Sequence, residues 1–260
     1  MVTGLIAASL LSPFFLEVTP EVRTAYQSLG KIVEDRPMQI LSVRAGYDTG
    51  AFGRFGIRNW DVSSLTDRRA DVHRHAIYHT EFGPTWDFDY SFSETWKVKT
   101  SLTRSWTLYR GFSSSKSERT YHWWQLEQSL ENDYLVPFYR IRKCFRGNDY
   151  FYFKTGLRHR FKVMDNLYII PSAFVEGGSS RNFKRVFGTK DGGGNWQCGA
   201  SSVSLRIEAL WRVNENFSLF AFIEQYGVIG DDARETNRKY DYKCAHNDFT
   251  HGGIGLRFRF

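Results

Sequence analysis

The 260-residue sequence lacks any interior apolar run long enough for a transmembrane helix. A helix needs about 20 consecutive apolar residues to cross a bilayer, so a helical membrane protein is excluded. Proline is scarce at 6 residues, whereas glycine is plentiful at 22 and aromatic residues make up 17% of the chain. This bias favours β-strands joined by tight turns.

Cysteine and the common catalytic motifs are also rare or absent. The 3 cysteines, Cys144, Cys198 and Cys244, show neither CxxC spacing nor a nearby histidine pair, so neither a metal site nor a cofactor is predicted. There is no G-x-S-x-G and no H-E-x-x-H segment, and the histidines lack a nearby nucleophile motif. The chain is therefore predicted not to be an enzyme.

The N-terminal residues 1–15, MVTGLIAASLLSPFF, are apolar and uncharged. They have the character of the hydrophobic region of a secretory signal that lacks its basic leader. We interpret residues 1–15 as a partial signal or an N-terminal apolar segment and residues 16–260 as one domain. A buried first strand is the alternative interpretation of this segment.

Alternation of apolar and polar residues runs through most of the chain. In residues 149–163, phenylalanine, leucine and valine share one face, and lysine and arginine share the other. Residues 80–92 and 203–213 repeat this period of two, which is typical of β-strands with two different faces. A soluble sandwich and a membrane barrel both show such alternation, so the loop lengths have to separate them.

The alternation predicts about twelve strands, whose gaps alternate between short and mostly longer ones, except for the short gap at residues 146–148. We place the strands at residues 17–27, 37–48, 51–60, 75–93, 95–110, 121–131, 134–145, 149–163, 167–177, 196–213, 217–229 and 248–260. Outer-membrane barrels have short periplasmic turns and longer extracellular loops, an asymmetry that a soluble meander has no reason to keep. The predicted fold is therefore all-β: a single antiparallel up-and-down transmembrane barrel.

The last predicted strand carries the most specific signal. Ile254, Leu256, Phe258 and Phe260 alternate with glycine and arginine up to the final residue. Here the chain resembles Gram-negative outer-membrane proteins, whose last strand ends on an aromatic residue. The resemblance implies a location in the outer membrane, contact with its lipid, and recognition of these four residues by the barrel-assembly machinery.

A broader resemblance covers most of the chain at low specificity. Residues 22–37, VRTAYQSLGKIVEDRP, precede the strand of residues 39–47 and a strand end at Asn59-Trp60-Asp61. This arrangement is similar to uncharacterised porin-type proteins with a tyrosine, a glycine turn and an acidic residue before proline in the first hairpin. Glu81 and Glu127 stand where such proteins place a strand-borne glutamate. This resemblance implies a fold more than a substrate.

One face of the predicted strands would line a lumen. Its basic residues are Arg44, Arg54, Arg58, Lys97, Lys99, Arg140, Arg142, Lys154, Arg158, Arg160, Lys162, Arg206, Arg212, Arg257 and Arg259. Its acidic residues are Glu81, Asp87, Asp89, Glu127, Glu176, Glu208 and Glu224. Because the basic set is larger, we expect a net-positive lumen that favours small polar or anionic solutes. A barrel of this size should enclose only a narrow passage.

Two functions stay open at this stage. The lumen is either a narrow channel or, if its charges pair across it, the filled interior of a closed barrel with a structural, scaffold or surface-interaction role. Nucleic acid is not an expected partner, because the basic residues share a face with few aromatic residues. Cys198 and Cys244 both fall on the predicted extracellular side, so a disulfide between them is a further hypothesis.

Aromatic residues are also expected at the two borders of the bilayer, where their amphipathic rings settle at headgroup depth. The candidates are Trp60, Tyr78, Trp86, Trp96, Trp106, Tyr109, Trp196 and Trp211. One charged residue fits the pattern poorly. Arg104 falls on the predicted lipid face of its strand.

Overall fold

The computed structural model describes residues 13–65, 78–109, 119–145, 149–187, 195–240 and 246–260. Its strands are β1 (Phe14–Arg23), β2 (Tyr26–Ser28), β3 (Lys31–Glu34), β4 (Met38–Asp48), β5 (Arg54–Ser64), β6 (Tyr78–Ser91), β7 (Lys97–Tyr109), β8 (Arg119–Glu131), β9 (Val136–Cys144), β10 (Phe151–Arg158), β11 (Phe161–Lys162), β12 (Leu167–Gly178), β13 (Gly199–Arg212), β14 (Phe217–Val228) and β15 (Asp248–Arg259). Two α-helices are described, α1 (Ser180–Phe187) and α2 (Asp231–Tyr240).

The long strands form one closed antiparallel barrel in up-and-down order. β10 and β11 are two parts of one barrel strand, interrupted at His159 and Arg160, so that the barrel has 12 strands. Pairing of β1 with β15 closes the ring, with Glu17 opposite Arg259 and Val22 opposite Ile254. The short strands β2 and β3 form a separate hairpin. The predicted fold class is confirmed.

The two ends of the barrel differ in their connections. The start of β1 and the end of β15 lie at the end with short turns, where asparagine side chains fix the backbone. The Asn214 side-chain oxygen accepts the backbone N–H groups of Asn216 and Phe217 at 2.9 and 2.8 Å, a turn geometry that asparagine favours. The opposite end carries the β2–β3 hairpin and both helices. Outer-membrane barrels have short periplasmic turns and longer extracellular loops, so we name the end with short turns the periplasmic end and the opposite end the extracellular end.

The outer wall is apolar along most of its strands. Ile57, Leu205 and Ile254 are 65%, 60% and 65% exposed, and they point away from the lumen with their same-face neighbours. A water-soluble protein rarely presents a continuous apolar belt of this kind, whereas a bilayer requires one. Neither described helix is long and apolar enough to cross a membrane.

Several predicted boundaries are wrong. The predicted first strand, residues 17–27, ends at Arg23, and the β2–β3 hairpin follows it. β1 begins at Phe14, inside the predicted apolar segment, of which residues 1–12 lie outside the described part of the chain. The loops predicted at residues 178–195 and 230–247 contain α1 and α2. The alternation of apolar and polar residues identifies strands only, so it does not predict α1 and α2 in these connections.

The aromatic residues of the wall divide between its two faces. Trp86 and Trp106 stack on the outward rings of Phe55 and Phe82, and Trp211 is 46% exposed on the outer wall. The prediction is wrong for Trp60, which packs inward against Tyr26 and His79, and for Trp196, which packs on α1. Both rings serve the core of the extracellular end instead of a girdle.

Candidate functional site

The β2–β3 hairpin folds into the extracellular mouth of the barrel. Ala25 and Ile32 are fully buried in a cluster with Tyr226 and the apolar residues of α1. The hairpin's Leu29 packs against a second cluster on β8 to β10, and its Tyr26 joins a third on β4 and β5. Because these clusters lie on different sides of the wall, the hairpin crosses the mouth instead of standing above it.

Polar contacts hold the hairpin to the far wall. Gln27 Nε2 donates to Glu176 Oε2 at 2.7 Å, and the Tyr226 hydroxyl donates to the Gly30 carbonyl oxygen at 2.9 Å. Lys31 Nζ donates to the Val186 carbonyl oxygen of α1 at 3.1 Å. Buried hydrogen bonds of this kind stabilise the seated position because their loss would leave polar atoms unsatisfied. The hairpin is therefore held in the extracellular mouth by contacts to β12, β14 and α1.

The tip of the hairpin is a tight turn pressed against β13. Leu29 and Gly30 have positive φ angles of 54° and 85°, the pattern of a type I′ hairpin turn. A Cβ atom at Gly30 would lie 2.7 Å from the Ser201 hydroxyl oxygen and 3.1 Å from that of Ser202. Only glycine meets both the backbone and the space requirements at this position.

Gly30→Ala should therefore loosen the hairpin, and Gly230→Ala is the matched control. Gly230 has nearly the same φ, 84°, but nothing lies within 4 Å of its would-be Cβ. Both variants pay about 1–2 kcal/mol for the left-handed backbone, and only Gly30→Ala also crowds Ser201. We expect faster amide hydrogen exchange across residues 24–37 in Gly30→Ala alone. Equal exchange in both variants would refute a seated tip.

Every acid of the predicted lumen set has a cation at ion-pair distance. The pairs are Glu81 with Arg142 at 3.5 Å, Asp87 with Arg44, Asp89 with Lys97 at 3.9 Å, Glu127 with Arg140 at 2.9 Å, Glu176 with Lys154 at 3.4 Å, and Glu208 and Glu224 with Arg206 at 2.6 and 3.8 Å. All seven lie on the inward face, and Glu81, Glu176 and Glu224 are buried. In these pairs six cations serve the seven acids, because Arg206 contacts both Glu208 and Glu224.

Cations of the same face do not all find an acid. Arg54 and Arg259 contact Glu17 at 3.5 and 3.4 Å, and Arg158 contacts Glu131 at 2.5 Å. Five predicted lumen cations make no ion pair with any residue that the structure describes: Arg58, Lys99, Arg160, Arg212 and Arg257. The unpaired charge of the predicted lumen set is therefore positive.

Two adjoining cavities occupy the periplasmic half of the lumen, with volumes of about 670 and 410 Å³. They share Lys99, Phe138, Lys154 and Arg158 as lining residues. Three of the unpaired cations, Lys99, Arg160 and Arg257, line the larger cavity. Its periplasmic rim carries the exposed acids Glu94 and Asp133, which belong to turns. A positive cavity thus lies below the hairpin.

Lys162 differs from the rest of the predicted basic set. It is 58% exposed beside a periplasmic turn, contacts Asp165 at 2.9 Å and lines neither of these cavities. The hydrogen bond from Lys162 and its charge lower the pKa of the Asp165 carboxyl. Lys162 is a rim residue.

The sequence prediction missed three acids of the lumen face. Glu17 contacts Arg44, Arg54 and Arg259, while Glu21 pairs with Arg23 at 2.6 Å and Glu131 with Arg158. Glu17 and Glu21 alternate with the apolar residues of β1, so the same period of two could have found them. Their placement lowers the positive excess of the lumen without reversing it.

The other predicted sites stay predictions. Ile254 is 65% exposed on the outer wall, and Leu256, Phe258 and Phe260 share its face. Recognition of this face by the barrel-assembly machinery stays a prediction. Cys198 is exposed and Cys144 is buried, whereas Cys244 lies outside the described residues, so the Cys198–Cys244 disulfide stays a hypothesis. Within the described ranges no group of three or more His, Cys, Asp or Glu side chains could hold a metal ion.

Comparison with known proteins gives a fold likeness at low sequence identity. No protein-family model matches the chain, and no curated protein matches it. An outer-membrane channel from Pseudomonas putida F1 is 9% identical with a TM-score of 0.54, and the match covers 96% of each chain. The KdgM porin in complex with disordered oligogalacturonate is 12% identical with a TM-score of 0.49, covering 95% of this chain and 99% of that one.

One of the solved structures with a similar fold is an enzyme. Outer membrane phospholipase A from Escherichia coli is 12% identical with a TM-score of 0.45, covering 97% of this chain and 96% of that one. At such identities the comparisons carry the fold alone. The predicted likeness to Gram-negative outer-membrane barrels is confirmed, and the apolar outer wall fits that membrane.

Proposed function

We propose that this outer-membrane barrel is a narrow channel for small polar or anionic solutes, gated at its extracellular mouth by the β2–β3 hairpin. The observation that carries the proposal is the unpaired positive charge of Lys99, Arg160 and Arg257 around a cavity below the hairpin. Charges in a narrow, low-dielectric passage focus their field on whatever enters. Anions should therefore partition into this cavity more readily than cations of equal size.

The gate rests on the nature of the hairpin's contacts. Tyr26, Leu29 and Ile32 contribute apolar packing, but each belongs to a different cluster. The hairpin is covalently joined to the barrel through β1 and β4, and β2 and β3 pair with each other in a sheet of their own, so it can leave the mouth without breaking the barrel's strand ladders. We propose that conduction requires this displacement, and that the chain has no enzymatic activity.

Assembly in the membrane forms a second part of the proposal. Ile254, Leu256, Phe258 and Phe260 occupy one outward face of β15 up to its end, where the Phe260 N–H donates to the Leu16 carbonyl oxygen at 2.8 Å. The barrel-assembly machinery is the proposed partner of this face. The lipid of the outer membrane is the proposed partner of the remaining apolar wall.

A closed barrel with a scaffold role is the second candidate. The observation that favours it is the dense filling of the extracellular half of the lumen. There the hairpin packs against the wall, and the buried acids Glu81, Glu176 and Glu224 form ion pairs with cations of the same wall. In this case the cavity would be a dead end.

Planar-bilayer recording of the refolded protein separates the two candidates. A gated channel should show rare, discrete openings, and a salt gradient should give reversal potentials of anion-selective sign. Folding is checked first by the heat-modifiable mobility on SDS gels that folded membrane barrels show. Complete electrical silence from folded protein, under voltage and after loosening of the hairpin, would support the closed scaffold.

A further inference from the structure

Arg104 stands on the lipid-facing wall, where a charge is costly. It is exposed on β7, and it makes no ion pair with any residue in the described ranges. An arginine facing lipid at the bilayer midplane costs about 2–4 kcal/mol, and the cost falls to about 0–1 kcal/mol near the interface. What Arg104 contacts therefore depends on its depth in the bilayer and on the side chains around it.

The depth follows from the cross-strand register. Asn59 on β5 pairs with Phe82, which pairs with Trp106 on β7, and all three face outward. Above this row the outer face of β5 becomes polar, with Asp61 accepting hydrogen bonds from Asn59 and Thr80. Arg104 lies one outward position below Trp106, about 5 Å lower for a tilted strand. Its flexible stem can span that height, so the guanidinium reaches the extracellular border of the bilayer.

Aromatic rings frame the guanidinium on two sides. Its Cζ lies 5.2 Å from the Trp106 ring centroid and 5.5 Å from that of Trp124. Trp124 is directly opposite Arg104 on β8, and Lys143 is directly opposite Trp124 on β9. The ring of His122 meets Trp106 edge-on at 6.1 Å. We call Arg104, Trp106, His122, Trp124 and Lys143 the outer-wall patch.

The second cation of the patch already has a partner. Lys143 Nζ contacts Asp149 Oδ1 at 2.5 Å, and both side chains are about half exposed at 42% and 52%. Asp149 belongs to the extracellular connection between β9 and β10. The lysine therefore adds positive charge beside Trp124 but is partly neutralised, whereas the guanidinium of Arg104 keeps its full hydrogen-bonding capacity.

We propose that the outer-wall patch binds a phosphate group on the headgroup of an outer-leaflet glycolipid. Guanidinium groups match phosphate oxygens in bidentate geometry, and flanking indole rings settle at headgroup depth while covering the sugar and upper acyl chains. The occupant is a lipid because the patch faces the bilayer and not the lumen. This site is independent of the proposed channel, since it lies on the opposite face of the wall.

Native mass spectrometry of the folded full-length chain tests the site. The probe is hexa-acylated lipid A carrying both phosphates, compared with its dephosphorylated form. We expect the protein to retain the phosphorylated lipid, and Arg104→Gln to reduce that retention about tenfold. Lys162→Gln is the matched control, because it removes one exposed cation at the periplasmic rim, and it should retain lipid like the unmodified protein.

Arg104→Lys supplies a second variant, since it keeps the charge but loses the bidentate fork, and its retention should fall between the two. If Arg104→Lys retains as much phosphorylated lipid as the unmodified protein, the bidentate contact is refuted, even if the glutamine variant does not fold. Equal retention by folded Arg104→Gln, or of the dephosphorylated lipid by the unmodified protein, would overturn the proposal. Displacement by inorganic phosphate at equimolar concentration would assign the patch to a soluble anion instead.

Discussion

Removing the hairpin is expected to turn a mostly closed barrel into a conducting one. Arg23 and Met38 are directly opposite each other at the ends of β1 and β4, so Asn-Gly can replace residues 24–37 as a two-residue turn. With the mouth cleared, water can connect the cavity around Lys99 and Arg257 to the extracellular side. We expect planar-bilayer conductance to rise on the order of tenfold or more, because ions need a continuous aqueous path.

Graded weakening of the hairpin gives the comparison for this experiment. Tyr226→Phe removes only the hydroxyl that donates to the Gly30 carbonyl oxygen, a change worth about 0.5–1.5 kcal/mol. It should raise the frequency of openings without changing their size, whereas the deletion should leave the pore open. A deletion variant that is folded on SDS gels and still silent would show that the ion pairs below close the lumen. The channel proposal would then be wrong.

Neutralising the unpaired cavity cations should reduce anion preference. Lys99→Gln combined with Arg257→Gln removes two positive charges that make no ion pair with any described acid, and it leaves the ion pairs of the lumen acids intact. In the hairpin-deleted background, the reversal potential in a salt gradient should move toward zero, since the lumen field that excludes cations becomes weaker. The ratio of anion to cation permeability is the quantity to measure.

Two further variants test the direction of the change in anion preference and where in the lumen it arises. Glu131→Gln removes an acid that lines the larger cavity, so it should shift the reversal potential in the opposite direction, toward stronger anion preference. Lys162→Gln alters a rim residue already held by Asp165 and should leave the reversal potential nearly unchanged. An unchanged potential in the double variant would refute a role for Lys99 and Arg257 in selectivity.

The barrel could be predicted from sequence because strand faces are a local property. The alternation of residues 203–213 fixes which side chains of β13 face lipid, and the structure places Leu205 and Ile207 outward at 60% and 54% exposure. The short turns follow from residues such as Asn132 and Asn214, whose side chains accept backbone N–H groups within two or three positions. Both signals lie inside a few consecutive residues.

The inward position of the hairpin could not be predicted in this way. Its residues bond to partners far along the chain, with Gln27 meeting Glu176 and Gly30 meeting Tyr226. The order of apolar and polar residues in 22–37 does not indicate whether that segment extends into solvent or folds back into the mouth of the barrel. The inward packing of Trp60 is equally beyond the local pattern, since it depends on Tyr26 and His79.

The long reach of the hairpin's contacts also orders the folding of the molecule. Gln27 meets residues 149 and 224 positions further along the chain, and Gly30 meets one 196 positions away. These partners stand on β12, β14 and β15, so their surface exists only once the last strands have joined β1. Contacts between such distant residues have the largest entropic cost of loop closure, so they form late. The hairpin should therefore seat as the final step of refolding, with its amide protection appearing after that of the strands.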